Sequence, residues 1–167
     1  MHVRLTTTLI AAAVGLGVVA GGFETASAED APAVIAKRQE SMKGQGKALG
    51  VVRGYLEGKA ELPAAQTAAD TLITDLAMIP SLFPEKTGMA EFPDKSSAKP
   101  EIWTQGAKFS ADAKAALAKA EALKTALKGG DKAAITTAFD AMIKGGIWDA
   151  GNACGQCHTT FRERKKT

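Results

Sequence analysis

Residues 100–131 read PEIWTQGAKFSADAKAALAKAEALKTALKGGD, and this stretch decides the fold. Apolar and small residues recur along it in alternating steps of four and three: Ile102, Gly106, Phe109, Ala113, Ala116, Ala120, Leu123 and Leu127. This spacing is typical of an amphipathic helix with one buried face. Pro100 suits a first helical turn, and Gly129-Gly130 suits a helix end. The stretch therefore predicts a long helix that packs against other helices.

Three further segments show helical spacing, and none shows the alternation typical of a strand. The first covers about 32–57 and carries apolar residues every seven positions: Ile35, Met42, Leu49 and Leu56. The second covers 63–80. The fourth begins at Asp131, pauses at Gly145-Gly146, and is predicted to resume through Trp148 as far as about Arg164.

Four amphipathic helices predict an all-α, antiparallel four-helix bundle. The glycine pair before Asp131 is a tight turn, which makes the third and fourth helices antiparallel neighbours. Residues 81–99 contain Pro84, Gly88 and Pro93 and predict a long irregular crossover between helices 2 and 3. Many buried positions are Ala or Gly, so the helices either approach closely or leave space for a flat group between them.

The chemistry is concentrated in one short motif, Cys154-Gly155-Gln156-Cys157-His158. The chain has two Cys and two His, and His2 lies in the N-terminal leader described below. Cys-x-x-Cys-His is the attachment signature of c-type haem. On a helix, Cys154 and His158 share one face. The motif predicts one covalently bound haem c, attached to Cys154 and Cys157, with His158 as an axial ligand of the iron.

Three other interpretations of the motif compete with haem attachment. A disulfide between Cys154 and Cys157 would need no histidine. A thioredoxin-like redox pair would need a strand before the motif. A structural zinc site would need a fourth strong ligand. The helical context and the histidine favour haem.

The sixth iron ligand is a methionine or is absent. Met42 is the best candidate, because it lies on the buried face of the first helix; a soft core residue beside an open iron position is the alternative. Arg38 lies one turn before Met42 and would need an anionic partner if buried, which a haem propionate supplies. Gln39 could add a hydrogen bond. An Arg38 that extends to solvent is the alternative.

The N-terminus predicts export. Arg4, the apolar run 9–22 and Ala26-Ser27-Ala28 have the order of a secretory signal peptide, with cleavage after Ala28. The alternative is an uncleaved anchor. Residues 29–167 then form one domain with no membrane span. The net charge of +3 is too small to indicate nucleic-acid binding.

The sequence resembles the class II cytochromes c, the cytochrome c-prime family, over residues 30–165. The matching parts are Arg38-Gln39-x-x-Met42, Lys99-Pro100-Glu101-Ile102-Trp103, and the Cys-x-x-Cys-His motif followed by Phe161-Arg162. Segments 80–84 and 92–97 resemble the low-spin cytochrome c-556 branch, in which the methionine at the place of Met42 binds the iron. The pair Arg38-Gln39 is typical of the c-prime branch, where it contacts haem propionates.

The resemblance implies a periplasmic monohaem cytochrome that carries one electron, with low-spin iron ligated by His158 and Met42. The alternative is a five-coordinate, high-spin protein that binds nitric oxide or carbon monoxide at an open position. We do not expect an enzyme, since His158 would already be bound to iron and no distal acid–base group is evident. The expected partners are redox proteins of the periplasm, and a homodimer is compatible with the sequence.

Overall fold

The structure is a computed structural model that describes residues 30–164. The predicted signal peptide and its cleavage site after Ala28 lie outside these residues. The described helices are α1 (Ala31–Leu56), α2 (Leu62–Ala77), a 3-10 turn (Ile79–Leu82), α3 (Glu101–Thr104), α4 (Gly106–Gly129), α5 (Lys132–Ile143) and α6 (Ala153–Phe161).

These helices form an all-α four-helix bundle, which confirms the predicted fold class. α1 packs on α2, α2 on α4, and α4 on both α5 and α6, so that α5 and α6 together make the fourth side. The short connections 57–61 and 130–131 place α1 antiparallel to α2, and α4 antiparallel to α5. Gly130 has a left-handed φ of 74°, as the predicted glycine turn requires.

The fourth side differs from the prediction, because it is two helices instead of one that resumes at Trp148. Gly145 and Gly146 have φ values of 77° and 89°, which end α5. α6 then begins only at Ala153, where the Asn152 side chain caps it by accepting a hydrogen bond from Gly155 N (2.8 Å). The same side chain donates to the carbonyls of Lys144 and Gly146, at 2.7 and 2.9 Å. One asparagine thus fixes both the loop and the start of α6.

α6 also ends earlier than predicted, at Phe161 instead of about Arg164. The backbone there becomes extended and forms an antiparallel bridge between Arg162 and Ala98. Lys99 N donates to Phe161 O (3.0 Å), and Glu163 N donates to Ser97 O (2.8 Å). The end of the crossover is thereby attached to the end of α6.

The predicted third helix is also interrupted. The backbone of Gln105 leaves the helical region, with φ −120° and ψ 40°, and separates α3 from α4. The crossover that precedes α3 is irregular, as expected. It approaches α3 closely at Gly88, where a Cβ would lie 2.8 Å from the Trp103 ring.

None of the helices within residues 30–164 has the length and apolar character that a membrane crossing needs.

Candidate functional site

A cavity of about 520 Å³ lies at the end of the bundle where the crossover runs. It is bounded by α1, the N-terminal half of α4, α6 and the end of the crossover. Cys154, Cys157, His158 and Met42 all line it. Its volume is in the usual range for a cofactor site, and most of its wall is apolar. The structure therefore brings the predicted attachment motif and the predicted methionine to one cavity.

The two cysteines are held by the local structure of α6. They lie one turn apart on the helix, are free thiols, and are partly buried. Gly155 between them is buried, and a Cβ at this position would overlap the backbone of Asp149. Glycine is required here because the 144–152 loop packs directly on the backbone of the motif.

Burial sets the charge state of both thiols. It raises the pKa of Cys154 to about 11 and, with a smaller contribution from Asp112, the pKa of Cys157 to about 12. Both side chains are therefore neutral thiols at physiological pH. A pair of neutral thiols facing an apolar cavity suits addition to the vinyl groups of a haem, and it does not resemble a reactive redox pair, which needs a thiolate.

His158 is neutral as well. Burial, with a smaller contribution from Arg162, lowers the pKa of His158 to about 4. Its Nδ1 atom is buried without a hydrogen-bond partner, and the Trp148 ring lies 6.2 Å away, centroid to centroid. A neutral imidazole is the form that binds a metal. His158 and the two thiols therefore fit a covalently attached haem c; attachment to Cys154 and Cys157 and ligation of the iron by His158 stay predictions.

The methionines differ in their relation to this cavity. Met42 lines it, whereas Met78 and Met89 do not, and Met142 is completely buried in the helical core. Among residues 30–164, Met42 is thus the methionine that could face an iron bound to His158. Ligation of the iron by Met42 stays a prediction.

Arg38 and Gln39 line the cavity, but their hydrogen bonds go to the crossover. The Arg38 guanidinium donates to Leu82 O, to Thr87 O and Oγ1, and to Ser96 Oγ. Gln39 Nε2 donates to Lys95 O. Arg38 is 5% exposed, so it does not extend to solvent. The contact of these two residues with haem propionates stays a prediction.

The sequence interpretation missed a buried carboxylate on the cavity wall. Asp112 of α4 is 7% exposed; its Oδ2 accepts a hydrogen bond from Lys108 Nζ at 2.6 Å, and Gln156 Nε2 lies 3.5 Å from its Oδ1. Asp112 lies three residues after Phe109 on the buried face of α4. An acidic residue on an otherwise apolar face was the signal that could have revealed it.

A row of aromatic rings was also missed. The Phe83–Phe109 and Phe109–Phe161 pairs have centroid distances of 5.0 and 5.2 Å and edge-to-face geometry. The three rings come from the crossover, α4 and α6, and all line the cavity. They join these three parts of the chain into one apolar wall.

The alternatives to haem find little support in the described chain. Cys154 and Cys157 form no disulfide, and no strand precedes the motif within residues 30–164. In the same residues, no group of three or more His, Cys, Asp and Glu side chains is placed to hold a metal ion.

Comparison with known proteins gives a consistent result. The family model for cytochrome C′ matches residues 33–162. The chain is 30% identical over 138 residues to cytochrome c-556 of Rhodopseudomonas palustris, covering 79% of this chain and 84% of that protein. It is 31% identical over 119 residues to cytochrome c′ of Rubrivivax gelatinosus, covering 69% and 82%. The crystal structure of cytochrome c′ from Thermochromatium tepidum superimposes with a TM-score of 0.68 at 24% identity, covering 80% of this chain and 97% of that one.

Proposed function

The chain belongs to the cytochrome c′ family, and on that premise we propose that it is a periplasmic one-electron carrier whose haem iron is ligated by His158 and Met42. Proteins of this family carry electrons with a covalently attached haem c. In this chain, Cys154 and Cys157 would hold the haem. The haem supplies one-electron redox chemistry, and the protein adjusts its potential through axial ligands, burial and hydrogen bonds.

One observation carries the proposal: Met42 of α1 and the motif of α6 line the same cavity. A thioether is a soft ligand that suits iron opposite an imidazole. Besides the motif, the groups that line the cavity and could act as a nucleophile or transfer a proton include Ser96, Ser97 and the carboxylate of Asp112, which accepts a hydrogen bond from Lys108.

A second candidate is a five-coordinate cytochrome c-prime that binds nitric oxide or carbon monoxide. It is supported by the relative from Rubrivivax gelatinosus, which is named cytochrome c′ and is as similar as the c-556 relatives. In that case Met42 would cover an open iron position without binding it.

The deciding experiment is visible absorption spectroscopy of protein made in a host that matures c-type haem. Spectra would be recorded for the oxidised protein, the reduced protein, and the reduced protein under carbon monoxide. We expect a low-spin spectrum that carbon monoxide does not change, and a high-spin, carbon monoxide-binding spectrum for Met42→Ala. Met78→Ala is the matched control, because Met78 does not line the cavity. A wild-type protein that is high-spin and binds carbon monoxide would contradict Met42 ligation and favour the second candidate.

Covalent attachment is tested separately. Wild-type protein should retain its haem on a denaturing gel, because two thioether bonds survive unfolding. The double variant Cys154→Ala, Cys157→Ala should lose all of it. Haem that stays with the double variant under denaturing conditions would contradict the assignment of both cysteines.

The predicted location has its own test. N-terminal sequencing of protein from the periplasmic fraction should begin at Glu29, directly after the predicted cleavage site. A chain that still begins at Met1 and sediments with membranes would support the uncleaved anchor. The redox partner proteins and the homodimer stay predictions.

A further inference from the structure

Arg38 makes an unusual number of hydrogen bonds for one buried side chain. Its Nη1 donates to Leu82 O (3.3 Å) and Thr87 Oγ1 (3.2 Å). Its Nη2 donates to Thr87 O (2.8 Å) and Ser96 Oγ (3.0 Å). An arginine has five N–H donors, of which four are on these two nitrogens. All four terminal donors therefore have acceptors, and only Nε–H is left for another partner.

The acceptors belong to the beginning, middle and end of the crossover. Leu82 ends the 3-10 turn, Thr87 is completely buried in the middle, and Ser96 precedes the backbone pairing with α6. The guanidinium also lies over the Phe83 ring, 4.5 Å from its centroid. One side chain of α1 thus joins three separate points of a mostly irregular segment, in addition to the bonds from Gln39 and Trp103.

Within residues 30–164, no carboxylate pairs with the charge on Arg38. Its four acceptors are two carbonyls and two hydroxyls, and burial lowers the pKa of Arg38 to about 10, so it is still charged at neutral pH. A buried cation is tolerated only where its surroundings satisfy it fully. A substitution at this position would remove the guanidinium donors from four acceptors of the crossover, of which Ser96 Oγ would keep its bond from Ala98 N.

The segment held by Arg38 forms part of the cavity wall. Phe83, Ser96, Ser97 and Ala98 line the cavity, and Arg38 lies one turn before Met42 on the same face of α1. We propose that Arg38 is a positioning residue: it fixes the crossover against α1 as the wall beside Met42 and so keeps water and small gaseous ligands away from the haem iron. The exclusion of ligands rests on the proposed His158 and Met42 ligation, whereas the fixing of the crossover does not.

The first test is hydrogen exchange of the haem-loaded protein, wild type against Arg38→Met. The amides of Met89, Phe92 and Ser96 are bonded within the crossover and report on it directly. We expect them to exchange about tenfold or more faster in Arg38→Met, with the amides of α2 and α5 unchanged. Arg53→Met is the matched control, because Arg53 is an exposed arginine of the same helix that contacts Phe139 instead. Unchanged exchange in the crossover, or an equal increase throughout the chain, would overturn the proposal.

Variants of the acceptors test the same contact without removing a buried charge, and they serve if Arg38→Met does not fold. Thr87→Val and Ser96→Ala each remove one hydroxyl acceptor of Arg38 and should increase crossover exchange by about two- to fivefold. Because Thr87 Oγ1 also donates to Pro84 O and Ser96 Oγ also accepts from Ala98 N, each variant is combined with Arg38→Lys, and the combined increase should be smaller than the product of the single ones. Increases that simply multiply would show that the hydroxyls act independently of Arg38. Ser81→Ala should not increase crossover exchange, because its hydroxyl bonds only Met78 O. Arg38→Lys keeps the charge but cannot reach all the acceptors, so exchange should stay elevated. Full restoration by lysine would show that charge alone matters and would contradict the proposed fixing of the crossover by the hydrogen bonds of Arg38.

Carbon monoxide binding to the reduced protein tests ligand exclusion. We expect carbon monoxide to leave the reduced spectra of the wild type and of Arg53→Met unchanged, and to shift the reduced spectrum of Arg38→Met to a carbon monoxide-bound form. Faster exchange without carbon monoxide binding in Arg38→Met would overturn the exclusion of ligands. A wild type that already binds carbon monoxide rapidly would contradict Met42 ligation, yet the exchange data would still decide whether Arg38 fixes the crossover. The two proposals therefore fail in distinguishable ways.

Discussion

The two ends of the bundle are built differently. At the end beside the connections 57–61 and 130–131, which we call the closed end, the core side chains are completely buried: Val52, Ala65, Ala69, Leu72, Ala120, Leu123, Leu127 and Ile135 are all at 0% exposure. At the other end, the cavity end, the helices surround about 520 Å³ of space. Their walls there include the buried polar residues Arg38, Gln45 and Asp112.

The difference separates the source of stability from the site of function. Close packing of apolar groups at the closed end gains both transfer free energy and dispersion contacts. The cavity end lacks those contacts across its space; Arg38 and Asp112 there are held by specific hydrogen bonds, whereas His158 Nδ1 is buried without one. We infer that the closed end can hold the helices together, whereas the cavity end depends on a bound group to complete its packing.

The largest expected effect is a truncation in the closed end. Leu123→Ala should reduce the free energy of unfolding by about 3–5 kcal/mol, because it leaves a void that rigid neighbours cannot fill. Leu49→Ala, in the cavity wall, should cost only about 1–2 kcal/mol in the haem-free protein, where space already adjoins the side chain. Urea unfolding of both variants, with and without haem, measures this. Equal losses in the haem-free protein would remove the distinction between the two ends.

The second effect concerns the attachment motif itself. Gly155→Ala places a methyl group on the backbone of Asp149, so the 144–152 loop must move. We expect a loss of about 2–3 kcal/mol in stability and a reduced yield of covalent haem, since the loop and the start of α6 are held together. Gln156→Ala, at the exposed middle position of the same motif, is the control. Normal stability and haem yield in Gly155→Ala would show that the loop is not fixed by this contact.

The smallest effect depends on pH. The pKa of His158 is lowered from 6.5 in the unfolded chain to about 4 in the folded protein. Between pH 4 and 6.5, the unfolded chain therefore binds a proton at His158 that the folded protein does not bind. The corresponding stability is complete above pH 6.5 and is lost as the pH falls towards 4, by about 1–3 kcal/mol. Urea unfolding of the haem-free protein, followed by circular dichroism at several pH values, would show this loss in the free energy of unfolding. In His158→Gln, the part of the loss that is due to His158 should be absent. An identical pH profile in both proteins would contradict the burial of a neutral His158.

The helices and the motif could be predicted because their signals are local. The spacing of apolar residues predicted α1, α2 and most of α4 and α5. The Cys-x-x-Cys-His motif predicted the cofactor. The break at Gln105 and the loop 144–152 could not be predicted in this way. Their positions are set by tertiary contacts, such as the side chain of Asn152 bonding two carbonyls that lie six and eight residues earlier.

The role of Arg38 could be predicted only in part. Its position on a buried face indicated that it needed a partner, and the nearest expected partner was the cofactor. The actual acceptors lie 44–58 residues away in an irregular segment. Nothing in the local sequence indicates that Thr87 is completely buried there. Long-range hydrogen bonds of polar side chains have no periodic pattern, and so they were missed.

The hydrogen bonds that join Arg38 of α1 to the crossover also bear on the order in which the chain folds. The closed end contains two helical hairpins whose connections are short, so their contacts need little loop-closure entropy. The contacts of Arg38, and the pairing of Ala98 with Arg162, join residues 44–64 positions apart in the chain. We expect the hairpins to form first and the crossover to close last. A partly folded chain of this kind would present both thiols of the motif to the attachment machinery before the wall beside Met42 is complete.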